Sequence, residues 1–182
     1  MNRFWHKGLL LIMAIIISFQ LYGQKRIDLP SGLKSESGII VFVSLGTDCP
    51  ISQKYIHTLK AFHSAYKDKV TLIGIIPFNF DSDEIESFRK DFDIPFPLQH
   101  DSDNTIIEAL EITVTPEVVM TDHEGYLIYR GAIDNWFYEL GKSRWKPTAF
   151  YLEDALQAVM NGKKVVIDST QAIGCMIEKK YK

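Results

Sequence analysis

Between Ile39 and Leu45 the chain reads Ile-Ile-Val-Phe-Val-Ser-Leu, and from Pro50 onward the pattern changes to that of a helix. A short apolar run rich in β-branched residues suits a strand buried on both faces. After it, Ile51, Tyr55, Leu59, Phe62 and Tyr66 recur at spacings of three and four, which places them on one helical stripe. Pro50 fits the first turn of that helix, where a missing N–H leaves no partner unsatisfied. Val70 to Ile76 is a second run of the buried-strand type. Strand, helix and strand in such close succession form a βαβ unit and imply a parallel pair.

The remainder extends the same architecture. Asp81 to Phe92 has the acidic start and mixed face of a solvent-exposed helix, and a proline-punctuated turn from Asp91 to Pro97 leads to an extended piece at Leu98-Gln99. Asn104 to Leu110 is a short helix. Glu117 to Met120 and Tyr126 to Arg130, joined through Asp122-His123-Glu124-Gly125, read as a β-hairpin. Trp136 to Lys146 is a polar, aromatic-rich connection, and Trp136, Phe137, Tyr138 and Trp145 either cap the core or line a partner groove. Tyr151 to Met160 is an amphipathic helix stopped at Asn161-Gly162. The order βαβ, insertion, ββα implies one α/β domain.

The N-terminus carries Arg3, His6 and Lys7, an apolar run from Leu9 to Phe19, and small residues near Gly23. That is the pattern of a secretory signal peptide over 1–23. The apolar run falls short of the roughly 20 residues a membrane span needs, so no stable span is expected after cleavage; an uncleaved anchor is the alternative. Residues 24–37, with Pro30 and Gly32, read as an N-terminal arm, 38–162 as the domain, and 163–182 as a C-terminal tail. An exported chain would work in the periplasm or outside the cell. A formal net charge of −3 without a basic cluster gives no nucleic-acid footprint.

The chain has two cysteines, Cys49 and Cys175. One pair is too few for a disulfide scaffold, so both thiols are candidates for chemistry. Cys49 precedes the helix that begins at Pro50. There the unpaired N–H groups and the helix dipole favour a thiolate, the nucleophilic form in disulfide exchange and in peroxide attack. Asp48 opposes this, because a neighbouring carboxylate raises a thiol pKa. Cys175 follows Gly174 in a tail with few core signals, and a mobile tail could bring it within the roughly 6 Å between Cα atoms that a disulfide requires. A resolving thiol, a structural bridge and an inert thiol are all open readings of Cys175. His57 lies about 12 Å along the helix from Cys49 at 1.5 Å per residue, too far for a direct base. His63, His100 and His123 have no ligand-like spacing. No metal site and no cofactor is expected.

The stretch Cys49-Pro50-Ile51-Ser52 resembles the active-site turn of the thioredoxin-like superfamily with its second cysteine replaced by Ser52. Val114-Thr115-Pro116 resembles the superfamily's cis-proline loop, and Tyr129 to Asp134 resembles the strand end found in many redoxins. The likeness spans Gly38 to Gly162. It is greatest to exported redoxin-domain (AhpC/TSA-like) proteins whose turn reads Thr-x-Cys-Pro-Ile, here Thr47 to Ile51, and whose tail carries a Gly-Cys pair, here Gly174-Cys175. The resemblance implies a thioredoxin-like fold: a central mixed β-sheet flanked by helices, with a redoxin-type insertion before the cis-proline loop. It implies Cys49 as nucleophile, Cys175 as candidate resolving thiol, and a cis Pro116. Thr115 would offer backbone hydrogen bonds to an extended partner peptide, and Thr47 and Pro50 join Thr115 and Pro116 as substrate-positioning residues. Two departures stand out. Ser52 has no thiol, so the short-loop dithiol mechanism is closed, and Gly46 stands where peroxiredoxins place a threonine. The implied function is an exported thiol-disulfide oxidoreductase acting on a protein thiol or disulfide. The alternatives are a peroxiredoxin-like peroxidase acting on a small peroxide, and a non-enzymatic binding or metal-handling module.

Overall fold

The computed structural model describes residues 25–30, 33 and 38–178. The expected signal peptide over 1–23 lies outside the described residues, as does half of the arm.

The chain begins its regular structure with β1 (Ile39–Ser44), α1 (Pro50–Tyr66) and β2 (Val70–Pro77). Next come α2 (Ser82–Asp91), β3 (Leu98–Asp101) and α3 (Thr105–Leu110). After these follow β4 (Val114–Thr115) and the hairpin of β5 (Val118–Asp122) and β6 (Leu127–Gly131). The last elements are β7 (Phe137–Glu139), β8 (Lys142–Ser143), α4 (Tyr151–Met160) and β9 (Cys175–Met176). The central sheet has the order β3-β2-β1-β5-β6. β1, β2 and β3 run parallel, while β5 is antiparallel to both β1 and β6, so the sheet is mixed.

Alternation along β1 explains why its whole sequence is apolar. Ile39, Val41 and Val43 face one core layer with Ile51, Tyr55, Leu59 and Phe62 of α1 and Leu152 and Leu156 of α4. Ile40 and Phe42 face the other layer, with Ile106, Ile107 and Leu110 of α3. Every residue of β1 is buried, as a strand between two helical layers must be. The arm closes the second layer. Ile27 and Leu29 are buried there, and Arg26 bridges to Tyr126. α2 begins with a reciprocal capping box between Asp81 and Glu84.

Two regions depart from the sequence reading. The connection after β6 contains the small β7–β8 hairpin, and its aromatics divide. Trp136 and Phe137 pack on Tyr55, whereas Tyr138 and Trp145 are exposed. The tail is not the loose segment its composition suggested. Residues 168–170 lie along the free edge of β6, through Arg130 N–H to the Asp168 carbonyl (3.0 Å) and Thr170 N–H to the Arg130 carbonyl (3.0 Å). Tyr129 hydroxyl meets Thr170 Oγ1 at 2.6 Å, and Ala132 N–H donates to the same oxygen at 3.0 Å. Gly131, at φ 130°, makes this approach possible, since a Cβ there would stand 2.8 Å from the Thr170 carbonyl carbon. Backbone pairing, which composition does not reveal, holds the tail.

Candidate active site: two cysteines under the cis-proline loop

Cys49 is the N-cap residue of α1, with an extended backbone, and its carbonyl accepts the Gln53 N–H at 3.0 Å. The β1–α1 turn is closed by Cys49 N–H donating to the Gly46 carbonyl at 3.2 Å. The sulfur therefore sits at the positive end of a 17-residue helix. Pro50 occupies the first helical position with its ring exposed. Thr47 is half-buried and accepts Gln53 Nε2 on its carbonyl at 2.8 Å, which steadies the turn.

The Thr115–Pro116 peptide is cis. Ser44, at the end of β1, fixes the loop around it. Its hydroxyl donates to the Val114 carbonyl at 2.6 Å and accepts the Glu117 N–H at 2.9 Å. Ser44 N–H in turn donates to the Glu117 carbonyl at 2.9 Å. Both sides of Pro116 are thereby tied to the strand that delivers Cys49, and Cys49 Sγ lies 3.1 Å from the Thr115 carbonyl oxygen.

The tail completes the site. β9 pairs antiparallel with β4, placing Cys175 opposite Thr115 and Met176 opposite Val114. Gly174 lies so close that a Cβ there would be 2.6 Å from the Thr115 carbonyl carbon and 3.1 Å from Pro116 N. Cys175 Sγ stands 2.6 Å from Cys49 Sγ, and both are free thiols. Cys49 is only 1% exposed, whereas Cys175 is half-buried. The edge on which the resemblance placed an extended partner peptide is occupied by the chain's own tail.

The two thiols are electrostatically unequal. Burial pushes the Cys49 pKa up, but hydrogen bonds from Cys175, from the Ser52 N–H and hydroxyl, and from Thr115 outweigh it, and the net shift is downward. Cys175 is pushed up to about 12, by burial first, then by its bond to Cys49, the Cys49 charge and the Asp48 charge. Cys49 is therefore the more acidic of the two thiols, and Cys175 the one that keeps its proton to higher pH. Asp48 acts differently from the sequence expectation: its charge bears on Cys175 and does not figure in the Cys49 shift.

Ser52 is the residue whose role sequence reasoning missed. It is fully buried, and its oxygen accepts the Gly46 N–H at 3.2 Å, leaving its proton for the Cys49 sulfur. The signal was its position three residues after an N-cap, where a side chain turns back to the cap. Gly46 also has a packing reason. A Cβ there would be 3.0 Å from Thr115 Oγ1 and 3.1 Å from Cys49 Cβ, which disfavours the peroxiredoxin threonine. Beneath Pro116, Tyr55 hydroxyl donates to Asp134 at 2.5 Å, and Asp134 also accepts the Trp136 N–H at 2.7 Å. Burial raises the Asp134 pKa against those two bonds. Among the described residues no three His, Cys, Asp or Glu side chains are grouped so as to hold a metal ion.

Comparison with known proteins agrees with this architecture. An uncharacterized conserved protein from Geobacillus kaustophilus superposes with a TM-score of 0.69 at 20% identity, covering 82% of this chain and 81% of its own. A hypothetical protein from Sinorhizobium meliloti gives 0.67 at 22%, covering 81% and 82%. A thioredoxin-like protein in its oxidised form gives 0.56 at 15%, covering 76% and 98%. A search of curated proteins finds no match. The fold is thioredoxin-like. The family model described as AhpC/TSA family matches residues 15–130, and the chain belongs to that family.

Proposed function

We propose that the chain is an exported thiol-disulfide oxidoreductase in which Cys49 is the nucleophile and Cys175 the resolving thiol. The observation that carries this reading is the 2.6 Å approach of the two sulfurs, of which Cys49 is the more acidic.

In the reduced chain, the Cys49 thiolate attacks one sulfur of a partner disulfide. A Cys49–partner bond forms, and the other partner sulfur leaves as a thiolate. Cys175 then loses its proton to solvent and attacks Cys49, expelling the remaining partner thiolate. Two electrons pass to the partner, and the chain ends with a Cys49–Cys175 bond. Capping Cys49 in the mixed disulfide removes the thiolate that holds up the Cys175 pKa, leaving burial and the Asp48 charge. Cys175 thus acidifies at the step that needs its thiolate. Ser52 and Thr115 stabilise Cys49 as nucleophile and as leaving group.

Family membership favours a peroxide as an alternative oxidant of Cys49. Gly46 in place of threonine, and the burial of Cys49 under the tail, favour the disulfide. Export rests on the charged, apolar and small-residue order of residues 1–23. No described helix is long and apolar enough to cross a membrane.

The test uses thiol trapping with mass spectrometry on wild type, Cys49→Ser and Cys175→Ser. The expected result is a Cys49–Cys175 disulfide after mild oxidation of wild type, with a partner captured on Cys49 in Cys175→Ser. Intact turnover in Cys175→Ser with nothing trapped on Cys49 overturns the exchange reading. Hydrogen peroxide consumption with a Cys49 sulfenic acid would replace it with the peroxidase.

A further inference from the structure

We infer that the cis-proline edge of this chain selects an extended protein segment in which the reacting cysteine is preceded by glycine, seated where Gly174 to Met176 lie in the closed chain. The inference rests on the exchange reading above and adds to it a rule for the partner.

Cys49 is 1% exposed with the tail in place, so no partner disulfide reaches it until β9 leaves. The tail is built to leave in part. Its firm anchor is Thr170, held by backbone and hydroxyl bonds to β6 and Ala132. Beyond it, β9 contributes a two-residue strand, Ile177 N–H donates to the Thr113 carbonyl at 3.1 Å, and the Glu178 carbonyl accepts Asn104 Nδ2 at 3.3 Å. A segment taking over that place meets the same edge, because Ser44 ties the loop to β1 whether or not the tail is present.

That edge reads the occupant position by position. Opposite Thr115 stands the residue whose sulfur meets Cys49, so this position is cysteine. The residue before it lies against the Thr115 carbonyl and Pro116 N, and a Cβ there would be 2.6 Å from the carbonyl carbon. The obstruction is backbone, held by the Ser44 bonds, and it does not yield as a flexible side chain would. The residue after the cysteine is unconstrained, since Met176 is 85% exposed. The next is apolar, since Ile177 packs on the second core layer. The rule is Gly-Cys-x-aliphatic, with main-chain pairing supplying affinity and side-chain space supplying selectivity.

The test uses full-length Cys175→Ser, in which the tail remains and competes equally with every peptide. The probes are three tetrapeptides, Gly-Cys-Met-Ile, Ala-Cys-Met-Ile and Gly-Cys-Met-Asp, each with its cysteine activated as a mixed disulfide with thionitrobenzoate. Cys49 attacks the peptide sulfur, the Cys49–peptide bond forms, and coloured thionitrobenzoate leaves with the electron pair. The expected result is a rate at least about ten-fold lower for the alanine peptide and several-fold lower for the aspartate peptide. Gly and Ala peptides reacting within about two-fold of each other overturn the rule while leaving the exchange reading intact. Absence of a Cys49 adduct with any of the three overturns both.

Discussion

Gly174 packs its bare Cα against the carbonyl of Thr115, at a separation that admits no side chain. The contact sets the depth at which β9 docks, and so the position of Cys175 over Cys49. Gly174→Ala should lift the strand from β4. Intramolecular disulfide formation should slow by about ten-fold or more, equivalent to roughly 1.4 kcal/mol in the docked population. Stopped oxidation with alkylation of residual thiols reads the rate; an unchanged rate would show that docking at Thr115 does not limit bond formation.

Ser52→Ala removes one donor to the Cys49 sulfur and the acceptor of the Gly46 N–H. The Cys49 pKa should rise, because a hydrogen bond to the charged form is lost. Stability should fall by about 1–3 kcal/mol for the orphaned buried N–H. The pH profile of Cys49 alkylation in the Cys175→Ser background, with and without Ser52→Ala, checks the first; urea unfolding checks the second.

The reduced protein should lose stability on the alkaline side through Cys175. Its folded pKa of about 12 exceeds the ordinary thiol value near 8.5. Below the ordinary value both states hold the proton and the contribution is complete. As pH rises toward about 12, the unfolded chain releases its proton first and the contribution is lost. Cys49 has the opposite sign: its lowered pKa contributes stability above the ordinary thiol value, lost as pH falls through the folded one. Above about pH 9, where an unperturbed thiol is mostly ionised, Cys49 adds no slope. There, Cys175→Ser should show a shallower decline than wild type in urea unfolding under reducing conditions. Equal slopes would mean that Cys175 is not held protonated.

Asp134 separates charge from hydrogen bonding. Burial raises its pKa, so its stability contribution is complete below the ordinary carboxylate value and declines as pH rises through the folded one. Asp134→Asn keeps an acceptor for the Tyr55 hydroxyl and the Trp136 N–H while removing the buried charge. It should match or exceed wild type in thermal stability at neutral pH. Asp134→Ala should cost about 1–3 kcal/mol for each partner left unsatisfied. A reversed order of the two variants would show that the charge itself is stabilising.

What was legible in the sequence was what is local. The run from Ile39 to Leu45 and the stripe from Ile51 to Tyr66 are periodic within themselves, and they place Cys49 at a helix start without reference to anything distant. The cis-proline loop was legible through resemblance, at Val114-Thr115-Pro116. The tail was not, because its order comes from pairing with β6 and β4, strands remote in sequence. Gly131 and Gly174 were visible as glycines, but what approaches them is decided by the fold. The Tyr55–Asp134 bond likewise joins residues 79 positions apart, which no spacing announces.

The clasp between Tyr129 and Thr170 also leashes Cys175. With Thr170 held, the five residues to Cys175 span at most about 17 Å at full extension, so a released tail stays within a small volume around Cys49. A tether of that length gives an effective concentration on the order of millimolar. A Cys49–Cys175 bond formed under that tether would close unimolecularly, at a rate indifferent to protein dilution, and an outside thiol would need comparable concentration to intercept it.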